Sequence, residues 1–153
     1  MNFAHLHLIL NHIPVVGIPF LTLFLIFAFI KKNEQMKKFS LVLLCLIGLV
    51  ILPVFFTGEP AEDLIEDFPG VTEEIILPHE EMGEKSLVIC LVASVLALSS
   101  LVIIKNEKLN HQLVMVTIGL AVLSSMSLLY TANLGGQIRH TENRTPLFKP
   151  VNK

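Results

Sequence analysis

Histidine and glutamate are the side chains in this sequence that could do chemistry, and they are unevenly placed. His5, His7 and His12 open the chain, His79 lies near its middle, His140 near its end, and His111 stands apart among lysines. Residues 58–85, GEPAEDLIEDFPGVTEEIILPHEEMGEK, hold ten of the thirteen acids. Imidazole together with carboxylate suits iron, copper, zinc or manganese. Four separate segments supply the candidate metal ligands His12, Glu59, Glu62, His79 and His140, with Glu80, Glu81 and Glu142 close by.

Spacing narrows the chemistry. If residues 58–66 continue as a helix, Glu59, Glu62 and Glu66 form one stripe. Carboxylates and imidazoles at the end of a helical bundle resemble the di-metal carboxylate arrangement. The ExxH spacing of ferritin-like sites is missing at His79, where Ile76 stands three residues before and Glu74 five before. His12 is the strongest ligand candidate, because an ionisable group inside an apolar run is costly and marks a functional site by default. His5 and His7 read as interfacial residues, and His111 as an ordinary loop residue.

Two other functions remain open. Haem b needs two axial donors facing each other across a bundle, and His12 with His79 or His140 offers that pairing. The carboxylate density around these histidines is higher than a neutral bis-imidazole pocket requires. Alternatively, the acidic stretch docks a basic partner, or Arg139 and Arg144 neutralise it as a salt-bridged lid, giving a non-catalytic membrane subunit. Cys45 and Cys90 lie in apolar runs without a CxxC or CxxCH, which excludes covalent c-type haem and reads as buried free thiols. Ser–His–Asp patterning, a phosphate-binding glycine loop and a basic nucleic-acid-binding stripe are all missing.

The elements that must position these residues are membrane spans. The chain of 153 residues is 53% apolar and only 16% charged, with mean hydropathy +0.71, a departure from soluble composition in both respects. Apolar segments run over about 8–30, 39–57, 86–104 and 112–134, each near the ~20 residues that cross ~30 Å of hydrocarbon. Backbone groups in lipid must be satisfied within the segment, so these are helices. The third helix is expected from about 73, after the Pro69-Gly70 turn and an N-cap at Thr72, and the fourth to about 140. The expectation is therefore an all-α, four-helix transmembrane bundle, one domain over 1–153, with 58–85 as an acidic hairpin. The N-terminus reads as the first span and not as a cleaved signal.

Four spans put both termini on one side. Loop 31–38 carries four lysines and one glutamate, so the positive-inside rule makes it cytoplasmic. The termini and the acidic hairpin are then extracytoplasmic. If residues 5–12 are helical, His5 and His12 share a face and His7 points elsewhere. Small residues on helices 3 and 4, among them Ala93, Ser94, Ala97, Gly119, Ala121 and Ser124, suit close helix packing. Tyr130, Asn133 and Gln137 form a polar stripe toward His140.

Several motifs act as a set: Asn11-His12-Ile13-Pro14-Val15, Gly58-Glu59-Pro60-Ala61-Glu62, Pro69-Gly70-Val71, His79-Glu80-Glu81, and Gly135-Gly136-Gln137-Ile138-Arg139-His140-Thr141-Glu142. Across almost the full chain they resemble a family of small bacterial four-span integral membrane proteins to which no reaction is attached. The chain is distantly similar to a wider group of four-helix membrane proteins whose first helix opens on a His-Pro-type motif. The resemblance implies an inner-membrane protein with metal or redox association. Membrane lipid, a redox partner protein and a homo- or hetero-oligomer are the expected partners, and nucleic acid is not.

Overall fold

The computed structural model describes residues 2–103 and 105–140. Helix α1 spans Phe3–Ile30, α2 Glu34–Phe56, the single-turn α3 Gly58–Glu62, α4 Glu73–Val102 and α5 Glu107–Arg139. Strands are missing among these residues.

Local chemistry sets the helix ends. Asn2 accepts from the His5 backbone N–H at 2.9 Å and starts α1 a turn and a half earlier than the apolar run suggests. Pro14 and Pro19 both lie within α1, so the carbonyls of Leu10 and Val15 lose their intrahelical donors. Lys31, Lys32 and Asn33 make the turn into α2, with Lys32 in the left-handed region at φ 52° and Asn33 capping Met36. The second hairpin repeats this device: Asn106 accepts from Leu109 N–H at the start of α5. Lys32-Asn33-Glu34 and Lys105-Asn106-Glu107 thus hold equivalent places in the two halves.

Four helices are long and apolar enough to cross a membrane. At 1.5 Å per residue, α1, α4 and α5 reach about 42–50 Å and overhang ~30 Å of hydrocarbon. Around the bundle, α1 packs on α2, α2 on α4, α4 on α5 and α5 on α1, which leaves α1 and α4 on one diagonal. The core contains Ile18, Leu21 and Leu25 of α1, Leu41, Leu44 and Ile51 of α2, and Cys90, Ala97, Val114, Ala121 and Leu128 of α4 and α5. Several buried hydroxyls are satisfied locally, as when Ser40 and Thr117 donate to the carbonyls four residues back. Large apolar side chains such as Phe20, Leu23, Phe27, Leu49, Val95 and Met126 point outward. A surface this apolar, with small buried residues such as Ala93, Ala97, Ala121 and Ser124 where α4 meets α5, is what lipid as solvent selects.

Within each of the last two helices one stripe faces inward at alternating steps of three and four. On α4 it runs Ile76, Ser86, Cys90, Ala93, Ala97 and Ser100, and on α5 Val114, Thr117, Ala121, Ser124 and Leu128. Carried along, the α4 stripe includes His79 and Gly83, and the α5 stripe Thr131 and Gly135. The site is built where these stripes end.

Candidate functional site

One end of the bundle gathers the start of α1, the end of α2, α3, the start of α4 and the end of α5. His7 and His79 meet there from the two diagonal helices, their ring centroids 6.5 Å apart and their planes at 84°. Each ring is held by the other helix of its own hairpin. His7 Nδ1 lies 3.0 Å from the Val54 carbonyl and 3.2 Å from Thr57 Oγ1. His79 Nδ1 lies 2.9 Å from the Thr131 carbonyl. A carbonyl only accepts, so Nδ1 carries the proton in both rings, and in the neutral tautomer Nε2 keeps an unused lone pair. Donating one ring nitrogen to a backbone carbonyl while the other binds metal is the usual support of a metal-ligating histidine.

Glycine and hydroxyl groups shape the surroundings. The His79 ring lies directly on Gly135, where an added Cβ would stand 2.8 Å from Cε1 and 3.1 Å from Nδ1. Gly58 comes to 3.8 Å of His7 Cε1 by the same measure. Beneath the His79 anchor, Ser86 bonds to Ser127 at 2.5 Å and to Thr131 Oγ1 at 2.9 Å, tying α4 to α5.

The carboxylates divide differently from the sequence expectation. Glu62 of α3 lies beside Glu80, and burial followed by that neighbouring carboxyl raises its pKa to about 7. Glu59 is exposed. His12 is exposed on the outer face of the bundle, where its Nδ1 bonds to the Leu8 carbonyl one turn back. It lines a shallow groove with His5, Leu8 and Ile9, so His5 and His12 do share a face and His7 turns away from it. His140 follows the last turn of α5, is exposed, and its N–H bonds to the Gly136 carbonyl. Of the five expected ligands, the structure brings His79 into the imidazole pair and joins Glu62 to its neighbour Glu80. His12 does not reach that pair. Among the described residues no group of three or more His, Cys, Asp or Glu side chains is placed to hold a metal ion.

Other expectations resolve similarly. Arg139 stacks over the Phe68 ring at 5.4 Å, and the ion pairs among the described residues are Lys37–Glu34 and Lys85–Glu81. Arg144 and Glu142 lie outside the described residues. Gln137 donates to Asn133 at 2.8 Å, as a shared face requires, and Tyr130 is exposed. His111 stacks on Phe29 at 4.9 Å. Cys45 and Cys90 are free thiols.

His7 is the residue that sequence reasoning passed over. A signal for it existed: the buried α1 positions Pro14, Ile18, Leu21 and Leu25 continue backward by seven to His7, whereas His5 and His12 fall off that stripe. The fold and site together define a four-helix membrane-type bundle with an anchored imidazole pair near one end. Comparison with known proteins gives no match, whether to a family model, a curated protein or a solved structure.

Proposed function

We propose that this is an integral membrane protein carrying a transition-metal centre for electron transfer at the extracytoplasmic end of its bundle. The observation that carries the reading is the His7–His79 pair, two rings from diagonal helices with Nδ1 committed to backbone and Nε2 available. Two neighbouring imidazoles in edge-to-face contact, each held by a backbone carbonyl and each with an unused Nε2 lone pair, support the reading as a pair of nitrogen donors. The six lysines of loops 31–38 and 105–111 support a cytoplasmic assignment for the opposite end. Exposed acids of residues 58–85 offer a docking face to a basic redox partner protein. Lipid covers the apolar flanks.

The test is metal content and paramagnetic resonance of the protein purified in mild detergent. The reading expects one iron or copper per chain in the wild type, lost in His7→Ala and in His79→Ala and kept in His12→Ala. Substoichiometric metal that survives both substitutions would sink it.

A further inference from the structure

We infer that the lysine-bearing end of the bundle binds the phosphate headgroups of anionic phospholipids, an inference that rests on the membrane reading above and not on the metal centre.

Charge is the first ground. At the end opposite the histidine pair, loops 31–38 and 105–111 carry Lys31, Lys32, Lys37, Lys38, Lys105 and Lys108 against Glu34 and Glu107. Six lysines and two glutamates leave that end at a formal +4 with His111 neutral. Residues 58–85, at the other end, hold ten acids and a single base, Lys85. Glu34 holds Lys37 at 2.7 Å. Lys31, Lys32, Lys38, Lys105 and Lys108 are exposed and form no ion pair among the described residues. Five ammonium groups are thus open to an outside anion.

Their level along the bundle is the second ground. Ile30, Phe39 and Val102 are 69%, 58% and 71% exposed, and each stands one to three residues from a lysine. Outward apolar side chains therefore end where the lysines begin. A lysine stem lies along such a surface while its ammonium reaches the polar boundary. Lys31 does this, its Nζ 5.9 Å from the centroid of the outward Phe27 ring one turn back. Lipid that covers the apolar flanks brings its phosphates to this same boundary.

Distribution is the third. The Lys-Asn-Glu turn recurs in both hairpins, with Asn33 and Asn106 each capping the next helix at 3.0 Å. Lys32 and Lys105 precede those caps, so cations stand on both hairpins instead of one patch. The crevice between Lys37 and Asn110 encloses about 20 Å³, room for a water and not for a phosphate. Headgroups around the open rim fit this layout better than one enclosed anion. A lysine near an anionic membrane surface favours binding about fivefold.

The test reconstitutes the full chain in phosphatidylcholine vesicles. It compares the immobilised fractions of spin-labelled phosphatidylglycerol and spin-labelled phosphatidylcholine. About a fivefold preference for the anionic label is expected at low salt. It falls toward equality near 1 M sodium chloride, where the screening length is about 3 Å. Lys31→Gln, Lys32→Gln, Lys38→Gln, Lys105→Gln and Lys108→Gln together abolish it, the matching Lys→Arg set keeps it, and Lys85→Gln leaves it unchanged. Circular dichroism identifies a variant that fails to fold, and the wild-type salt dependence tests the inference without any variant. Equal immobilisation of both labels in the wild type, or a preference that 1 M salt leaves intact, overturns it. So does a preference that survives the five glutamine substitutions. Displacement of the label by inorganic phosphate, beyond that caused by sodium chloride of equal ionic strength, assigns this end to a free anion and overturns the lipid. A chain that stays out of the vesicle fraction overturns the membrane reading together with this inference, and metal content decides none of these outcomes.

Discussion

His7 and His79 approach to 6.5 Å between ring centroids although they belong to helices that stand on a diagonal of the bundle. Two turns of hydrogen bonding explain how. His7 is tied to the end of α2 through Val54 and Thr57, and His79 to α5 through Thr131. The pair thus engages all four long helices at one level, each histidine bridging its own hairpin.

Gly135→Ala tests the seat of His79. The added methyl would stand 2.8 Å from Cε1, so the ring must shift off the Thr131 carbonyl. Overpacking of this kind costs about 1–3 kcal/mol. Gly136→Ala, where the methyl meets nothing within 4 Å, is expected to be neutral or to gain about 0.5–1 kcal/mol from helix propensity. Thermal unfolding in detergent ranks the two, and equal effects would remove the steric argument.

Gly48 marks the close approach of α2 to α4. A Cβ there would collide with the Ser94 side chain, whose hydroxyl donates to the Cys90 carbonyl. Gly48→Ala should destabilise by about 1–3 kcal/mol, and adding Ser94→Gly should recover a large part of it. A double-mutant cycle showing simple additivity would contradict the contact.

Ser124 is fully buried at mid-bundle, and its Oγ has no hydrogen-bond partner among the described residues. It lies beside the Cys90 thiol without reaching hydrogen-bond geometry. Ser124→Ala removes an orphaned hydroxyl, so stability should hold or rise by up to about 1 kcal/mol. Ser86→Ala removes bonds to Ser127 and Thr131 and should cost about 1–2 kcal/mol. A loss in Ser124→Ala as large as in Ser86→Ala would show that Ser124 is satisfied by water.

Glu62 predicts the sign of a pH dependence. Its folded pKa of about 7 lies above the ordinary 4.5, through burial and then the Glu80 contact. Between those values the folded state binds more proton than the unfolded state, so this contribution is fully present below about 4.5 and fades as pH rises through 7. Unfolding midpoints in detergent from pH 4.5 to 8 should fall more steeply in the wild type than in Glu62→Gln. Parallel profiles would mean that Glu62 and Glu80 share no proton.

Much of the architecture was legible in the residues. Composition and the four apolar runs require helices, since lipid leaves no other partner for backbone groups. The acids after Thr72 place the start of α4 correctly, and the histidines at positions 5 and 12 share a face as helical period demands. The start of α1 was misplaced because the Asn2 cap lies outside the apolar run that defined it. His12 drew attention by its apolar setting. Yet hydrophobic neighbours do not distinguish a residue facing the bundle from one facing lipid, because both environments are apolar.

By itself, then, the sequence determined the helical class, the number of long apolar helices, and the gathering of histidines and acids at one end. Only the tertiary structure decided which histidines meet. That choice depends on the rotation of α1 and α4 about their axes, and the rotation is set by packing along the whole inward stripe: Pro14, Ile18, Leu21 and Leu25 on one helix, Ser86, Cys90, Ala93 and Ala97 on the other. Residues many turns away fix the rotation, so the types of the histidines and their immediate neighbours do not contain it. The same rotation turns His7 toward His79 and His12 to the outer face of the bundle.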